Sequence, residues 1–334
     1  MRILLPILIA IVCFGSFSLA DEVSAEDRVT LVIVTGIAGA EEYENVFSEW
    51  SRKWLDAGET AGAKVYSIGI EEEEEVTNRD RIKTILEKET AIETGQLWLV
   101  LNGHGTFGGE KGKFNLRGPD ISAKDLAAWL KPCKRPLALV SGFSASAPFI
   151  DGLSGPNRVI LSATKSGYEV NYSRFGGYVS EAIGNLGADL DKDGQVSLLE
   201  AFLKGARDTD EFYQLEGRLS SEHALIDDTG DQRGTGFDWY RGVRVIKKSK
   251  DRIKPDGRRA HQFHLIRSEF EQHMPKDLRE KRDALEIKVL ELRDQKEAFD
   301  DESDYYARLE SLFLDLAELY GEVEAQMAAE PSFQ

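Results

Sequence analysis

Residues 29–36 read VTLVIVTG, an unbroken run of apolar and β-branched side chains closed by a glycine. A strand with one wet face alternates polar and apolar residues, so a solid run predicts a strand covered on both faces. The same signature recurs at Leu97–Leu101 (LWLVL), Leu137–Val140 (LALV) and Val159–Ala163 (VILSA), with a shorter strand at Lys64–Ile68. Between these runs the spacing predicts helices over Ala40–Gly58, Asn78–Thr94 and Ser122–Leu130. The first of them carries Val46, Phe47, Trp50 and Trp54 on one face. Buried strands alternating with helices require a mostly parallel sheet with helices on both sides. The expected fold class is therefore α/β, a three-layer α/β/α sandwich.

The 334-residue chain opens with Met1-Arg2 and an apolar run from Ile3 to Leu19, followed by Ser18-Leu19-Ala20 and then Asp21-Glu22. A positive start, a short apolar stretch and small residues before an acidic flank predict a signal peptide over 1–20. The run is short for a membrane anchor, and no later stretch is long and apolar enough to span a bilayer. Localisation is therefore read as exported, periplasmic or secreted. Cleavage after Ala20 would remove Arg2 and no acid, taking the formal charge from −17 to −18. That balance argues against nucleic acid and anionic membranes as partners and suits cation binding. Cys133 would be the one remaining cysteine, so no intrachain disulfide staples the fold.

Residues 189–200 read DLDKDGQVSLLE and fill the positions of a twelve-residue EF-hand loop. Calcium is a hard cation that takes six to eight oxygens. Asp189, Asp191 and Asp193 supply side-chain oxygens, Gln195 its carbonyl, Ser197 a direct or water-mediated oxygen, and Glu200 two at once. Gly194 permits the sharp turn, and Val196 stands where a short β-bridge to a partner loop forms. Helices are expected on both flanks, over Tyr178–Leu186 and Ser197–Phe212. No second loop matches; Asp227-Asp228-Thr-Gly-Asp231 lacks the later ligands and reads as a turn.

Two strand ends carry the candidate catalytic groups. Leu101 runs into Asn102-Gly103-His104-Gly105, and Val140 runs into Ser141-Gly142-Phe143-Ser144-Ala145-Ser146. The carboxyl ends of parallel strands are where α/β sheets place their ligand crevices. His104 has the chemistry of a general base, and the backbone N–H of Gly105 can approach an oxyanion. An isolated loop histidine bonded to backbone is the structural alternative. His261 and His264 sit three apart in an apolar stretch and read as structural.

On these residues the chain resembles the caspase-like superfamily, and more closely the legumain (haemoglobinase) cysteine peptidases, over roughly 28–215. In those families a His-Gly follows one strand, and a catalytic Cys follows the next after a gap of forty to fifty residues. Ser144-Ala145-Ser146-Ala147 resembles the legumain Cys-x-Ser-Gly context with Ser in place of Cys, and Arg158–Thr164 resembles a strand leading to a substrate-facing loop. Two departures count against activity. A serine hydroxyl is a poor nucleophile without a placed base and an orienting acid. Gly142 also stands where the resemblance calls for an acidic specificity residue.

After 28–265, the expected α/β domain, composition changes. Leu278, Leu285 and Leu292 are spaced by seven, and Tyr305, Leu309, Leu312, Leu316, Leu319 and Val323 by four and three alternately. Two helices over 276–327, with Ser303 capping the second, make a helical hairpin or coiled coil. Two readings stand: the hairpin packs on the main domain, or its seam forms a homo-oligomer. Together these features predict an exported, calcium-binding peptidase homologue, inactive and serving as a binding or scaffold module for a protein or peptide partner. The competing expectation is an active hydrolase using Ser144 and His104.

Overall fold

A computed structural model describes residues 28–70, 75–109, 111–247 and 254–329. The expected signal peptide and most of the acidic run from Glu71 lie outside the described residues. The strands are β1 (Thr30–Thr35), β2 (Lys64–Ile68), β3 (Leu97–Asn102), β4 (Gly105–Gly108), β5 (Lys111–Phe114), β6 (Ile121–Ser122), β7 (Leu137–Gly142), β8 (Arg158–Ser162), β9 (Leu225–Asp227), β10 (Thr235–Gly236), β11 (Tyr240–Arg241) and β12 (Arg244–Val245). The helices are α1 (Glu41–Thr60), α2 (Asn78–Glu89), α3 (Ala123–Trp129), α4 (Pro148–Leu153), α5 (Phe175–Ala182), α6 (Leu198–Leu215), α7 (Glu269–His273), α8 (Lys276–Asp294) and α9 (Glu302–Ala329).

The main sheet runs β10-β9-β8-β7-β3-β1-β2, parallel from β8 to β2. Strands β9 and β10 close one edge antiparallel. Alternate side chains divide the core as the pleat requires. Leu31, Ile33, Trp98, Val100 and Val140 face Trp54 of α1, Phe175 and Val179 of α5, and Phe202 of α6. Val32, Val34, Leu99, Leu101 and Leu139 face Ile82 and Leu86 of α2, Leu126 of α3, and Phe149 of α4. The α/β/α sandwich expected from the solid apolar runs is the observed architecture.

A buried ion network ties the amino ends of the strands. Glu89, the last residue of α2, has no exposed surface; Lys64 (2.7 Å), Tyr66 (2.8 Å) and Thr30 (3.0 Å) all donate to its carboxylate. Buried Arg135 stands 3.5 Å away. Leaving any of these partners unmatched in a dry setting would be destabilising.

Several boundaries differ from expectation. Helix α2 stops at Glu89 rather than Thr94, because that carboxylate is pulled under the sheet. The chain between His104 and Ser122 forms a small antiparallel sheet, β4-β5-β6, which its short polar strands did not announce. The helix expected before the 189–200 loop ends at Ala182, and a 3-10 turn at Leu186–Ala188 completes the approach. Asp301, not Ser303, caps the second hairpin helix, accepting from the Ser303 N–H at 2.8 Å.

Helices α8 and α9 pack together through Leu278, Leu285, Leu319 and Val323, with Met274 closing one end. The hairpin also touches the main domain, where Gln262 donates to the Asp283 carbonyl and Lys254 pairs with Glu291. In the first half of α9 the seam is more open: Leu309, Leu312 and Leu316 are half-buried, while Tyr306, Phe313 and Leu314 are exposed. Among the described residues no helix is long and apolar enough to cross a membrane.

The segment leading to the hairpin is held by two buried acids. Asp256 accepts the N–H groups of Asp228 (3.0 Å) and Thr229 (3.1 Å) and the Thr235 hydroxyl, while Asp228 accepts the Ala260 N–H. Burial, then the neighbouring Asp228 charge, pushes Asp256 up to about 7. An unfolded aspartate titrates near ~3.9, so the native state holds this proton more tightly. The resulting stabilisation is full below that value and is lost as pH rises through about 7. Asp256→Asn keeps an acceptor for the two N–H groups and removes the titration. Its melting temperature relative to wild type should therefore rise from about pH 4 to about pH 8. Thermal melts across that range check this; a constant difference would refute it.

Candidate functional site

Strand order reverses between β1 and β3, the two neighbours whose following segments leave the sheet in different directions. A crevice opens at the carboxyl ends of such a pair. His104 leaves β3 at that point, and its ring donates to the backbone of Ala38, which follows β1. Tyr43 and Phe47, one turn apart on α1, meet the imidazole edge-on at 4.8 and 4.9 Å between ring centres. Tyr172, from the loop after β8, stands 6.1 Å away. Desolvation by these rings lowers the His104 pKa, and the Ala38 bond offsets part of the effect. The imidazole is therefore neutral near pH 7, as a general base must be.

Ser144 is brought to the same end of the sheet, but its hydroxyl is engaged elsewhere. It is 2% exposed, accepts the Gly105 N–H at 3.2 Å and donates to the Gly105 carbonyl at 3.1 Å. Among the described residues no hydrogen bond joins it to the His104 ring. The backbone explains this placement. Phe143, directly after β7, turns inward between Phe114 (4.9 Å) and Phe149 (5.0 Å), which fixes the direction of the next residue. A Cβ on Gly105 would stand 2.1 Å from the Ser144 carbonyl oxygen, so only glycine allows the two chains to approach. Ala145 then takes φ +58°, a left-handed conformation that costs a non-glycine residue about 1–3 kcal/mol. Ser146 bonds Ser162 at 2.8 Å, tying this turn to the end of β8.

The position read as a specificity residue is closed. A Cβ on Gly142 would lie 2.8 Å from the Gly176 Cα, where α5 crosses β7. An acidic side chain there would require α5 to move. Beside it, buried Glu222 accepts from the Ser173 hydroxyl (2.5 Å) and the Arg174 N–H (2.9 Å), holding the loop that carries Tyr172. Arg174 stacks on Phe212 at 4.1 Å. Tyr43 was legible as part of an amphipathic helix; Tyr172 and Glu222 carried no local signal.

Residues 189–200 form a compact oxygen cluster just before and within the start of α6. One carboxylate oxygen each from Asp189, Asp191 and Asp193 lies within 4.8 Å of the others. Gly194 adopts φ +86°, and Lys192 also turns left-handed at +66°. Glu200, buried in the first turn of α6, reaches back across the loop to the Leu190 N–H at 2.7 Å and to the Ser197 N–H and hydroxyl at 2.8 Å. Asp191 is common to the aspartate trio and to a second group, with Glu200 and His261, whose donor atoms also lie within 4.8 Å of one another. The bridge expected at Val196 forms one residue later, pairing Ser197 with His264 rather than with a second EF-hand loop. Gln195 accepts from the Ser268 N–H at 3.1 Å, so the 260–268 segment covers the loop. His261 also reaches the cluster, its Nε2 lying 2.8 Å from Asp191 Oδ2. Burial lowers the pKa of this imidazole, but the Asp191 carboxylate outweighs it and the net shift is upward.

No family model matches the chain, and no curated protein matches it. Among solved structures it is similar to the Drosophila initiator caspase Dronc, at 14% identity and a TM-score of 0.44, over 64% of this chain and 85% of that one. It is also similar to caspase-1 from Spodoptera frugiperda, at 11% identity and a TM-score of 0.42, over 62% of this chain and 90% of that one.

Removing the Ser144 hydroxyl would leave the buried Gly105 N–H and carbonyl without this partner, a loss of about 1–3 kcal/mol. Urea unfolding of Ser144→Ala should show a destabilisation of that size. A variant as stable as wild type would mean the hydroxyl has no structural duty.

Proposed function

We propose that this chain is an exported, calcium-stabilised, caspase-like protein that has lost peptidase chemistry and works as a binding or scaffold module. The observation that carries the reading is the engagement of the Ser144 hydroxyl. Its proton and one of its acceptor positions are both engaged by Gly105, so the proton is not offered to the imidazole that would have to take it. The packing of Gly142 against Gly176 supports the same reading, because it leaves no room for a legumain-type acidic specificity residue. The hairpin supplies an association surface through the apolar side chains its own seam leaves uncovered.

One observation favours the rival reading of a serine hydrolase. His104 is desolvated, neutral and oriented by a backbone bond to Ala38, which would partly replace an orienting acid. Peptide-library cleavage by the purified, calcium-loaded protein separates the two. The expected outcome is no cleavage by the wild type. Cleavage that disappears in both Ser144→Ala and His104→Ala would establish the hydrolase.

The calcium part of the proposal has its own test. Calcium at a hundred times its Kd should stabilise the fold by about 2.7 kcal/mol if the unfolded chain does not bind it. Melting curves with calcium and with chelator should therefore differ by several degrees, and Glu200→Gln should remove most of the gain. Identical curves for the wild type would overturn the calcium assignment.

A further inference from the structure

The loop cluster contains two overlapping donor sets. Asp189, Asp191 and Asp193 offer three carboxylate oxygens within 4.8 Å of one another; Asp191, Glu200 and His261 offer two carboxylates and an imidazole nitrogen within the same limit. Asp191 and its neighbour Glu200 belong to the calcium loop, whereas His261 comes from seventy residues further along the chain. The His261 backbone is held in place independently of the loop. Its N–H bonds the Gly257 carbonyl at 3.0 Å, the preceding Ala260 N–H bonds Asp228 at 2.9 Å, and the following Gln262 side chain bonds the Asp283 carbonyl of α8 at 2.8 Å. The ring therefore stands at the loop as a prepositioned nitrogen donor.

The two sets suit different ions. Calcium prefers an all-oxygen shell of high coordination number, while imidazole nitrogen raises affinity for zinc, cobalt and nickel. Donors around a tetrahedral zinc sit about 3.3 Å apart, given metal–ligand distances of about 2.0 Å. The 2.8 Å contact between His261 and Asp191 is a hydrogen bond whose proton a metal would replace, and Glu200 offers a carboxylate oxygen within 4.8 Å of both. The cluster opens on a cavity of 530 Å³ shared with His264, Arg282 and Glu286 under the hairpin, which leaves room for a water at the fourth position.

We propose that Asp191, Glu200 and His261 form a second, mixed nitrogen–oxygen site for a divalent transition metal that competes with calcium for the shared carboxylates. This rests on the calcium loop of the proposed function only for the competition, not for the site itself. Occupation by such a metal would clamp the 257–262 segment, and with it α8, onto the loop.

The test uses the purified protein, Ca²⁺ and Co²⁺ in separate titrations, and two variants that divide the donor sets. Asp193→Asn touches only the all-oxygen set; His261→Gln touches only the mixed set and keeps a hydrogen-bond donor for Asp191, which preserves the fold. Calorimetry reads calcium affinity, and the d–d absorption of Co²⁺ reads the geometry of its site. The expected result is a loss of at least ~10-fold in Co²⁺ affinity for His261→Gln with calcium binding retained, and the reverse for Asp193→Asn. Calcium should also displace the Co²⁺ spectrum. Cobalt affinity and spectrum unchanged in His261→Gln would overturn the proposal while leaving the calcium assignment intact. Cobalt binding that depends on His261 in a protein that ignores calcium would support it and overturn the calcium assignment instead.

Discussion

The burial of β1, β3 and β7 on both faces constrains everything else in this molecule. Their side chains are committed to two cores, so polar chemistry is confined to the ends where the strands stop. At the amino ends the solution is a closed ion network around Glu89. At the carboxyl ends it is a set of close backbone contacts: Gly105 against Ser144, and Gly142 against Gly176. These contacts hold the β7–α4 turn against β4 and α5 against β7 at that end of the sheet. The aromatic wall of Tyr43, Phe47 and Tyr172 completes the enclosure around His104.

The same economy governs the second half of the domain. The 260–268 segment covers the 189–200 loop by pairing His264 with Ser197 and Ser268 with Gln195. Buried Asp228 and Asp256 anchor the upstream part of that segment. The 189–200 loop, the two buried acids and the hairpin thus form one continuous chain of contacts, each fastening the next. Glu271 and Arg282 carry it onward as an ion pair between α7 and α8.

The parallel sheet was legible because period and composition are local properties. Each buried run named itself, and the strand ends followed within a residue or two. The expectation of a calcium loop at 189–200 rests on an equally local pattern, since its donors sit at prescribed positions within twelve residues. What could not be read is whatever long-range contact decides. Nothing local to Asn78–Thr94 says that Glu89 is needed beneath the sheet, so the helix was extended too far. Nothing near His261 says that Asp191 will meet it, and the histidine was set aside as structural. For Ser144, the sequence identified the neighbourhood but not the direction of the hydroxyl, which depends on where Phe143 finds its aromatic partners. The expected cap at Ser303 failed on a smaller scale, because Asp301, two residues earlier, accepts from both the N–H and the hydroxyl of Ser303.

The contact between Ser144 and Gly105 also bears on what this lineage could become. A thiol is a weak donor and a weak acceptor with longer bonds, so cysteine at 144 would not reproduce two hydrogen bonds of 3.1 and 3.2 Å to one peptide unit. The change that would supply a nucleophile in a single step would at once loosen the turn that has to aim it. Under the proposed reading, recovery of peptidase chemistry would need the turn, the Phe143 packing and the α5 crossing to be rebuilt together. On that reading such a barrier would act as a ratchet against any return of cleavage.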